Sequence, residues 1–206
     1  MPVLLVALSY LLGSISFSSL FVTLIAKADI RDIGSGNAGA TNTSRILGVK
    51  WAVLVLVLDI AKGMAPIFVS RWLFPGVNWV EFLCGLSVVV GHNWPIYYKF
   101  RGGKGVATSI GVLSVIALIP ALAASIICVV AIIFTRYVSL GSLAFICLTP
   151  VFTLFMPHTW ASLCLGLSLA LVVVYRHREN IVRLLHGSES KFSLRSTRPQ
   201  NPKSRP

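Results

Sequence analysis

The chain has 206 residues, of which 56% are hydrophobic and only 12% are charged, and its mean hydropathy is +0.84. Soluble domains carry about 25% charged residues, so this composition excludes an ordinary soluble protein and indicates an integral membrane protein. The formal net charge of +12 comes from 18 Lys and Arg against 6 Asp and Glu. Because the basic residues lie between apolar runs, they are typical of cytoplasmic membrane loops and not of nucleic-acid binding.

Six apolar runs are candidates for helices that cross a bilayer, which takes about 20 residues. In chain order they are Val3–Ile25, Trp51–Leu73, Val80–Val90 with flanking residues, Val106–Phe134, Leu140–Met156 and Leu163–Tyr175 extended backwards. The first run is too long for the apolar segment of a signal peptide, so we expect a retained helix. The four cysteines lie within these runs and form no CxxC pair, which indicates buried or lipid-facing residues and not disulfides or metal ligands.

Pro120 lies near the middle of the long run Val106–Phe134 and leaves two arrangements open. It marks either a kink in one helix, giving six spans, or a turn between two short helices, giving seven. In the second case we expect Gly102–Gly105 and Thr135–Tyr137 to lengthen the two halves.

The distribution of basic residues favours seven spans with the N-terminus outside. Eight Lys and Arg residues then lie in cytoplasmic loops before the last span and eight follow it, so 16 of the 18 lie in the cytoplasm. We therefore predict an all-α, polytopic membrane protein with seven transmembrane helices and a cytoplasmic C-terminus. Residues 1–192 are expected to form one domain, and residues 193–206 a basic, disordered cytoplasmic tail.

Two charged residues, Asp59 and Lys62, fall inside the second predicted span. A charge near the bilayer centre costs about 2.5–3.5 kcal/mol on insertion scales. Their spacing of three residues places them on one face of a helix, so we expect a structural ion pair buried between helices.

The first predicted cytoplasmic loop, residues 34–45, has the sequence GSGNAGATNTSR. Its glycines and small polar residues allow tight turns in which backbone N–H groups point inward, an arrangement that binds anions. Arg45 adds a planar guanidinium that matches a phosphate, and a helix that starts near Thr41 would turn both residues toward one side. The alternative is a flexible, solvated loop.

The second predicted cytoplasmic loop contains GHNWP at residues 91–95 and GGKG at residues 102–105. The GGKG segment directly precedes a span, so the free N–H groups of the helix start favour an anion near Lys104. It is not a Walker A motif, because Tyr98 stands where the first glycine would be. The alternatives are a positive-inside lysine beside a helix-start turn and, for His92, a structural hydrogen-bonding role.

The third segment, HRENIVRL at residues 177–184, follows the last span. His177 and Asn180 share a face if the helix continues out of the membrane. Arg176, Arg178 and Arg183 are typical of a solvated, basic helix end.

Signatures of a protein nucleophile or an obvious base are missing from these loops. The chain has no GxSxG elbow, no cysteine nucleophile motif and no carboxylate pair in the loops, and no His is followed five residues later by Asp. Several anion-suited loops without such groups indicate phosphorylated substrates whose own groups carry the proton.

The three motifs together resemble those of the bacterial acyl-phosphate:glycerol-3-phosphate acyltransferases. They are SGNAGATN at residues 35–42 with Arg45, GHNWP and GGKGVAT at residues 91–95 and 102–108, and HRENIVRL at residues 177–184. The resemblance extends from the first span to about Lys191. It implies a seven-helix, multi-pass protein of the bacterial inner membrane whose active site faces the cytoplasm.

The resemblance also implies a reaction. The primary hydroxyl of glycerol 3-phosphate attacks the carbonyl of an acyl phosphate and gives 1-acyl-glycerol 3-phosphate (lysophosphatidic acid) and phosphate, the first step of phospholipid synthesis. The implied partners are these two substrates and the lipid bilayer, without nucleic acid, metal or other cofactor.

The residues that match the motifs receive roles from this resemblance. The implied catalytic residues are Ser35, Arg45, Lys104, His177 and Asn180. The implied substrate-binding residues are Gly36, Asn37, Gly39, Thr41, Asn42, Gly102, Gly103, Gly105 and Ser142.

Positioning and electrostatic stabilisation suffice for an acyl donor that is already activated. Arg45 and Lys104 are expected to hold the glycerol phosphate, and His177 and Asn180 to orient the attacking hydroxyl. His177 is an alternative general base, but we expect the donor phosphate to accept the proton.

A transporter or exchanger of phosphorylated metabolites is the alternative from another class. The intramembrane charges and basic loops would suit it. The clustering of polar groups at one face, without an evident internal repeat, favours the enzyme.

Overall fold

The computed structural model describes residues 1–192, and the predicted tail of residues 193–206 lies outside this part of the chain. All regular secondary structure within residues 1–192 is helical, which confirms the all-α prediction. The α-helices are α1 Pro2–Gly13, α2 Phe17–Ala26, α3 Ala40–Leu47, α4 Val49–Leu73, α5 Asn78–Asn93, α6 Val106–Ile116, α7 Leu118–Thr135, α8 Val138–Leu154, α9 Trp160–Arg176 and α10 Arg178–Leu185. Short 3₁₀ turns lie at Ile30–Asp32, before the first loop, and at Ile96–Tyr98, within the second loop.

The first apolar run forms two helices instead of the single predicted one. The break falls between Gly13 and Phe17, where the Ser16 side chain accepts a hydrogen bond from the backbone N–H of Ser19 and so caps α2. Gly13 packs directly against the backbone of Val88 on α5, and a Cβ at this position would collide with it. The serine cap thus lies at the start of α2 and the glycine contact at the end of α1, and apolar periodicity alone indicates neither.

The long run Val106–Phe134 is divided at Ala117 and not at Pro120. Ala117 has φ −142° and ψ 59°, outside the helical region, and Pro120 occupies the first turn of α7, where its missing N–H costs no hydrogen bond. Gly102–Gly105 stay outside the helix. The expectation that they lengthen α6 is wrong, because these glycines serve a loop.

Three segments of residues 1–192 are long and apolar enough to cross a bilayer by themselves: Pro2–Ala26, Val49–Leu73 and Leu118–Thr135. A fourth arises if α9 and α10, which meet at an angle of 64°, are counted as one broken span. Helices α6 and α8 are apolar but shorter. The seven spans and the orientation of the termini therefore stay predictions.

Helices α4 and α6 approach each other closely through two glycines. A Cβ on Gly63 would collide with the Thr108 carbonyl of α6, and a Cβ on Gly111 would collide with the Ile60 carbonyl of α4. Small residues at such crossings allow backbones to touch, as is common between membrane helices. The tight α4–α6 pair fixes the start of α6, and therefore Lys104, relative to the charged residues of α4.

The main buried core lies between helices α4 to α9 and is formed by apolar side chains that include Ile67, Val88, Val112, Phe145 and Leu169. Large apolar side chains are also widely exposed on the outer surface. Trp72 and Phe134, for example, are 80% and 82% exposed. Such a surface is expected of helices in contact with lipid.

Candidate functional site

The loops singled out in the sequence converge on one open cavity of about 730 Å³. Four segments form its polar wall: the first loop with α3, the Gly102–Gly105 loop, the start of α8 and the α9–α10 junction. All predicted site residues except Gly103 line it: Ser35, Gly36, Asn37, Gly39, Thr41, Asn42, Arg45, Gly102, Lys104, Gly105, Ser142, His177 and Asn180. Apolar side chains of α4 and α6, among them Leu56 and Ile110, form another part of the wall.

The first loop is rigid because the Asn42 side chain holds its backbone. The Asn42 oxygen accepts a hydrogen bond from the N–H of Ser35 at 3.0 Å, and its amide nitrogen donates to the carbonyls of Ile30 and Ile33 at 3.1 and 2.9 Å. Gly34 has φ +65° and leaves no room for a Cβ beside the Asn42 oxygen. Asn42 therefore shapes the loop, and all its side-chain hydrogen-bonding groups are occupied within it.

The second half of the predicted loop, from Ala40, forms helix α3. Its N-cap is Gly39, which has no side chain to cap the helix, so no side chain engages the first N–H groups of α3. Gly39, Ala40 and Thr41 at this helix start line the cavity. Arg45 lies one turn later on the cavity wall. No hydrogen bond or ion pair engages its guanidinium within residues 1–192, so this charge is available to an anionic ligand.

Arg176 holds the Gly102–Gly105 loop in place. Its guanidinium donates hydrogen bonds to the carbonyls of Gly103 and Gly102 at 3.0 and 3.1 Å and lies 5.5 Å from the ring of Trp94. The prediction of a solvated basic helix end is therefore wrong for Arg176. It holds for Arg178, whose side chain is 53% exposed.

Lys104 joins the second and third motifs. Its ammonium donates a hydrogen bond to the side-chain oxygen of Asn180. Burial lowers the pKa of Lys104 to about 8, with the neighbouring Arg183 and Arg176 adding to the shift and Glu189 opposing it. The ammonium is therefore partly desolvated and close to other cations, which increases its attraction for an anionic ligand.

Glu189 is the site residue that the sequence reasoning missed. Its carboxylate accepts hydrogen bonds from Ser139 at 2.8 Å, from Asn180 at 2.6 Å and from Arg183 at 2.7 Å. Arg183, which we predicted to be solvated, is paired with Glu189, although its side chain stays 41% exposed. Burial raises the pKa of Glu189, but these hydrogen bonds outweigh it and hold the pKa below its usual value.

His177 lies at the bend between α9 and α10, so the helix does not continue straight past it. His177 and Asn180 are nevertheless both buried, and both line the cavity. The Nδ1–H of His177 donates to the carbonyl of Val173 at 2.8 Å, which leaves Nε2 as the unprotonated nitrogen. Burial, together with the charge of Lys104, lowers the pKa of His177 to about 4. The imidazole is therefore neutral at physiological pH and a weak base before substrate binds.

The intramembrane pair is formed as predicted, with Lys62 Nζ 2.7 Å from Asp59 Oδ1 and both side chains almost fully buried. Ser142, one turn after Ser139 on α8, is buried and also lines the cavity.

Comparisons with known proteins agree on one family. A family model described as glycerol-3-phosphate acyltransferase matches residues 3–187. A protein named glycerol-3-phosphate acyltransferase from Shouchella clausii is 50% identical over 91% of this chain and 94% of its own length. One of the same name from Halalkalibacterium halodurans is 51% identical over 92% and 94%.

Two solved structures match the fold as well. The glycerol 3-phosphate form of PlsY (YgiH), an integral membrane glycerol 3-phosphate acyltransferase, superposes with a TM-score of 0.89 at 38% identity, covering 93% of this chain and 96% of that one. The lysophosphatidic acid form of PlsY superposes with a TM-score of 0.86 over 94% and 96%.

Proposed function

This chain belongs to the glycerol-3-phosphate acyltransferase family, and on that premise we propose that its acyl donor is an acyl phosphate. The primary hydroxyl oxygen of glycerol 3-phosphate forms an ester bond with the acyl carbonyl carbon. The bond between that carbon and the bridging phosphate oxygen breaks, and phosphate leaves with the electron pair. The hydroxyl proton passes to this phosphate, so the products are lysophosphatidic acid and inorganic phosphate.

The observation that carries the proposal is the convergence of cations and open N–H groups on one cavity with an apolar wall. Arg45, Lys104 and the start of α3 face this space, and Leu56 and Ile110 line it. Two phosphorylated head groups match the cationic part, and an acyl chain matches the apolar part, which connects to helices with lipid-exposed surfaces.

Arg45 and Lys104 hold the phosphate of glycerol 3-phosphate in this proposal. Ser35 and the backbone up to Thr41 hold the donor head group, with Ser142 assisting. These groups are already placed by Asn42 and Arg176, so little reorganisation accompanies the reaction. Charge that develops on the leaving phosphate is stabilised by fixed donors, which supplies rate without a covalent intermediate on the protein.

The donor phosphate is the proton acceptor. A phosphate monoester has a second pKa of about 6, whereas the pKa of His177 is lowered to about 4 in the protein without substrate. The phosphate is therefore the stronger base. His177 Nε2 and the Asn180 amide orient the attacking hydroxyl, and His177 has the fixed tautomer that such a role needs.

We place the protein in the bacterial inner membrane, with seven spans, a cytoplasmic cavity and residues 1–192 as one domain, where it performs the first step of phospholipid synthesis. In the sequence, 16 of the 18 basic residues fall in the predicted cytoplasmic segments, which supports this orientation. Cysteines introduced at Ser188 and His158, both exposed, test it with a membrane-impermeant reagent. Labelling of Ser188→Cys from outside intact cells would contradict the orientation.

A donor comparison tests the proposed reaction. Detergent-purified protein receives glycerol 3-phosphate with one of three donors carrying the same acyl chain: acyl phosphate, acyl-CoA or acyl carrier protein thioester. We expect lysophosphatidic acid only from acyl phosphate. A product formed from either thioester at an equal or higher rate would refute the donor assignment and leave the family membership untouched.

A further inference from the structure

Three buried polar side chains form a connected group at the wall of the cavity. Lys62 Nζ lies 2.7 Å from Asp59 Oδ1, 2.7 Å from the carbonyl oxygen of Ile15 and 3.0 Å from Nδ1 of His92. Asp59, Lys62 and His92 are only 2%, 3% and 6% exposed, and Asp59 and His92 line the cavity. The pair predicted from sequence is therefore a trio that reaches the site.

The arrangement fixes which nitrogen of His92 carries hydrogen. A lysine ammonium has three N–H donors and no acceptor. Because Asp59 Oδ1 lies 2.7 Å from Lys62 Nζ, we take the two side chains as an ion pair. Lys62 donates hydrogen bonds to the Ile15 carbonyl and to Nδ1 of His92, and its third contact is the ion pair with Asp59. Nδ1 therefore holds the lone pair, and Nε2 holds the hydrogen.

The Nε2 atom of His92 lies beneath the Gly102–Gly105 loop. A Cβ on Gly103 would collide with this nitrogen, and the backbone N–H of Gly103 donates to the carbonyl of His92 at 3.1 Å. No hydrogen bond from Nε2 is formed within residues 1–192. Because His92 also lines the cavity, this nitrogen is available to a bound ligand.

We propose that His92 is a further substrate-binding residue, whose Nε2–H donates a hydrogen bond to a phosphate oxygen of a bound substrate. Lys62 and Asp59 act through His92 as positioning residues, since they fix its tautomer and ring orientation. The neutral imidazole adds a donor without adding positive charge to a cavity that already holds Arg45, Lys104 and Arg176. This inference rests on the proposed function only in taking the substrates to be phosphorylated.

Two substitutions at His92 separate donation from shape. His92→Phe fills a similar volume without a donor, and His92→Gln keeps an N–H at similar reach. We measure binding of glycerol 3-phosphate by calorimetry and the KM for each substrate. His92→Phe is expected to weaken the affinity for one phosphorylated substrate at least about tenfold, the loss of a hydrogen bond to a charged group. His92→Gln is expected to stay within about threefold of wild type on the same grounds.

The substrate whose KM rises, glycerol 3-phosphate or acyl phosphate, is the one whose phosphate His92 binds. The inference is overturned if His92→Phe binds both substrates as tightly as wild type, or if His92→Gln is as weak as His92→Phe. Calorimetry does not need turnover. Loss of glycerol 3-phosphate binding in His92→Phe would therefore support the inference even if the acyl-phosphate reaction were refuted.

A measurement on the unmodified protein covers the case in which His92→Phe does not fold. NMR of isotope-labelled histidine, with the His92 signals assigned from His92→Gln, is expected to show hydrogen on Nε2 and not on Nδ1. Saturation with glycerol 3-phosphate and then with a non-hydrolysable acyl phosphonate should shift the Nε2 signal in at least one case. Hydrogen on Nδ1, or no shift with either probe, would overturn the inference.

Discussion

Lys104 donates a hydrogen bond to the side chain of Asn180, 76 residues further along the chain. The amide nitrogen of Asn180 in turn donates to Glu189, so the orientation of the Asn180 side chain is fixed from both ends. This relationship joins the glycine-rich loop before α6 to the helix after the last predicted span. It makes the position of the Lys104 charge depend on both segments, and the predictions below follow from that dependence.

Lys104→Ala is expected to lower kcat/KM by an amount equivalent to about 2–5 kcal/mol, the range for removing one partner of a close, desolvated charge pair. In wild-type protein kcat/KM should fall as the pH rises through about 8, because the pKa of Lys104 is lowered to that value and the ammonium is lost above it. Initial rates across this pH range measure both effects.

Lys104→Arg is the matched control for the pH effect. A guanidinium stays charged throughout this range, so the alkaline fall should move to higher pH in whatever activity this variant retains. Near-normal catalysis by Lys104→Ala would refute the phosphate-binding assignment of Lys104.

Arg45→Ala should likewise cost about 2–5 kcal/mol in kcat/KM, and Arg45→Lys should restore only part of it, because lysine lacks the bidentate fork. The control is Lys50→Ala, a nearby exposed cation that does not line the cavity. Steady-state kinetics with glycerol 3-phosphate as the varied substrate distinguish the three variants. Full activity in Arg45→Lys would show that charge alone suffices and that the planar fork has no role.

His177→Asn should retain measurable turnover, because it keeps a hydrogen-bonding group and the donor phosphate takes the proton. The pKa of His177 is lowered to about 4, so an acidic fall of kcat/KM near pH 6 belongs to the substrate phosphate, whose second pKa is about 6. The pH profiles of wild type and His177→Asn should therefore show the same acidic limb. A limb that disappears with the imidazole would make His177 the general base.

Glu189→Gln should destabilise the protein by about 1–3 kcal/mol and lower kcat/KM, because the carboxylate that accepts from Ser139, Asn180 and Arg183 is lost. The lowered pKa of Glu189 means that this stabilisation is present at neutral pH and disappears as the pH falls through that value, below the ordinary 4.5. Thermal unfolding of Glu189→Gln and of Glu179→Gln, an exposed site with the same charge change, measures it. Equal melting temperatures would contradict the role of Glu189.

Local sequence signals identified the short segments that the fold brings together at the cavity. Each of these signals can be recognised within about a dozen residues. They are glycines with small polar residues, a guanidinium one turn into a helix and a lysine at a helix start. The i, i+3 spacing likewise predicted the Asp59–Lys62 pair, which is found at 2.7 Å.

The residues that the sequence did not reveal act across long separations. Glu189 lies nine residues after Asn180 and fifty after Ser139, and only the fold brings the three together. Arg176 resembled an ordinary cation at a membrane border, yet it binds carbonyls 73 and 74 residues earlier. We expected a kink or break at Pro120, and the break is at Ala117. In a sequence, a proline in the first turn of a helix looks the same as a proline in the connection between two helices.

The central claim is direct acyl transfer between two phosphorylated substrates without an acyl-enzyme. Purified protein, acyl phosphate and radiolabelled glycerol 3-phosphate are mixed, and phosphate and lysophosphatidic acid are measured from the first turnover onward. The account predicts equal amounts of both products and no phosphate release above background until glycerol 3-phosphate is added. A burst of phosphate without glycerol 3-phosphate, with the acyl group bound to the protein, would contradict it, as would vesicle uptake of glycerol 3-phosphate by a protein that releases no phosphate.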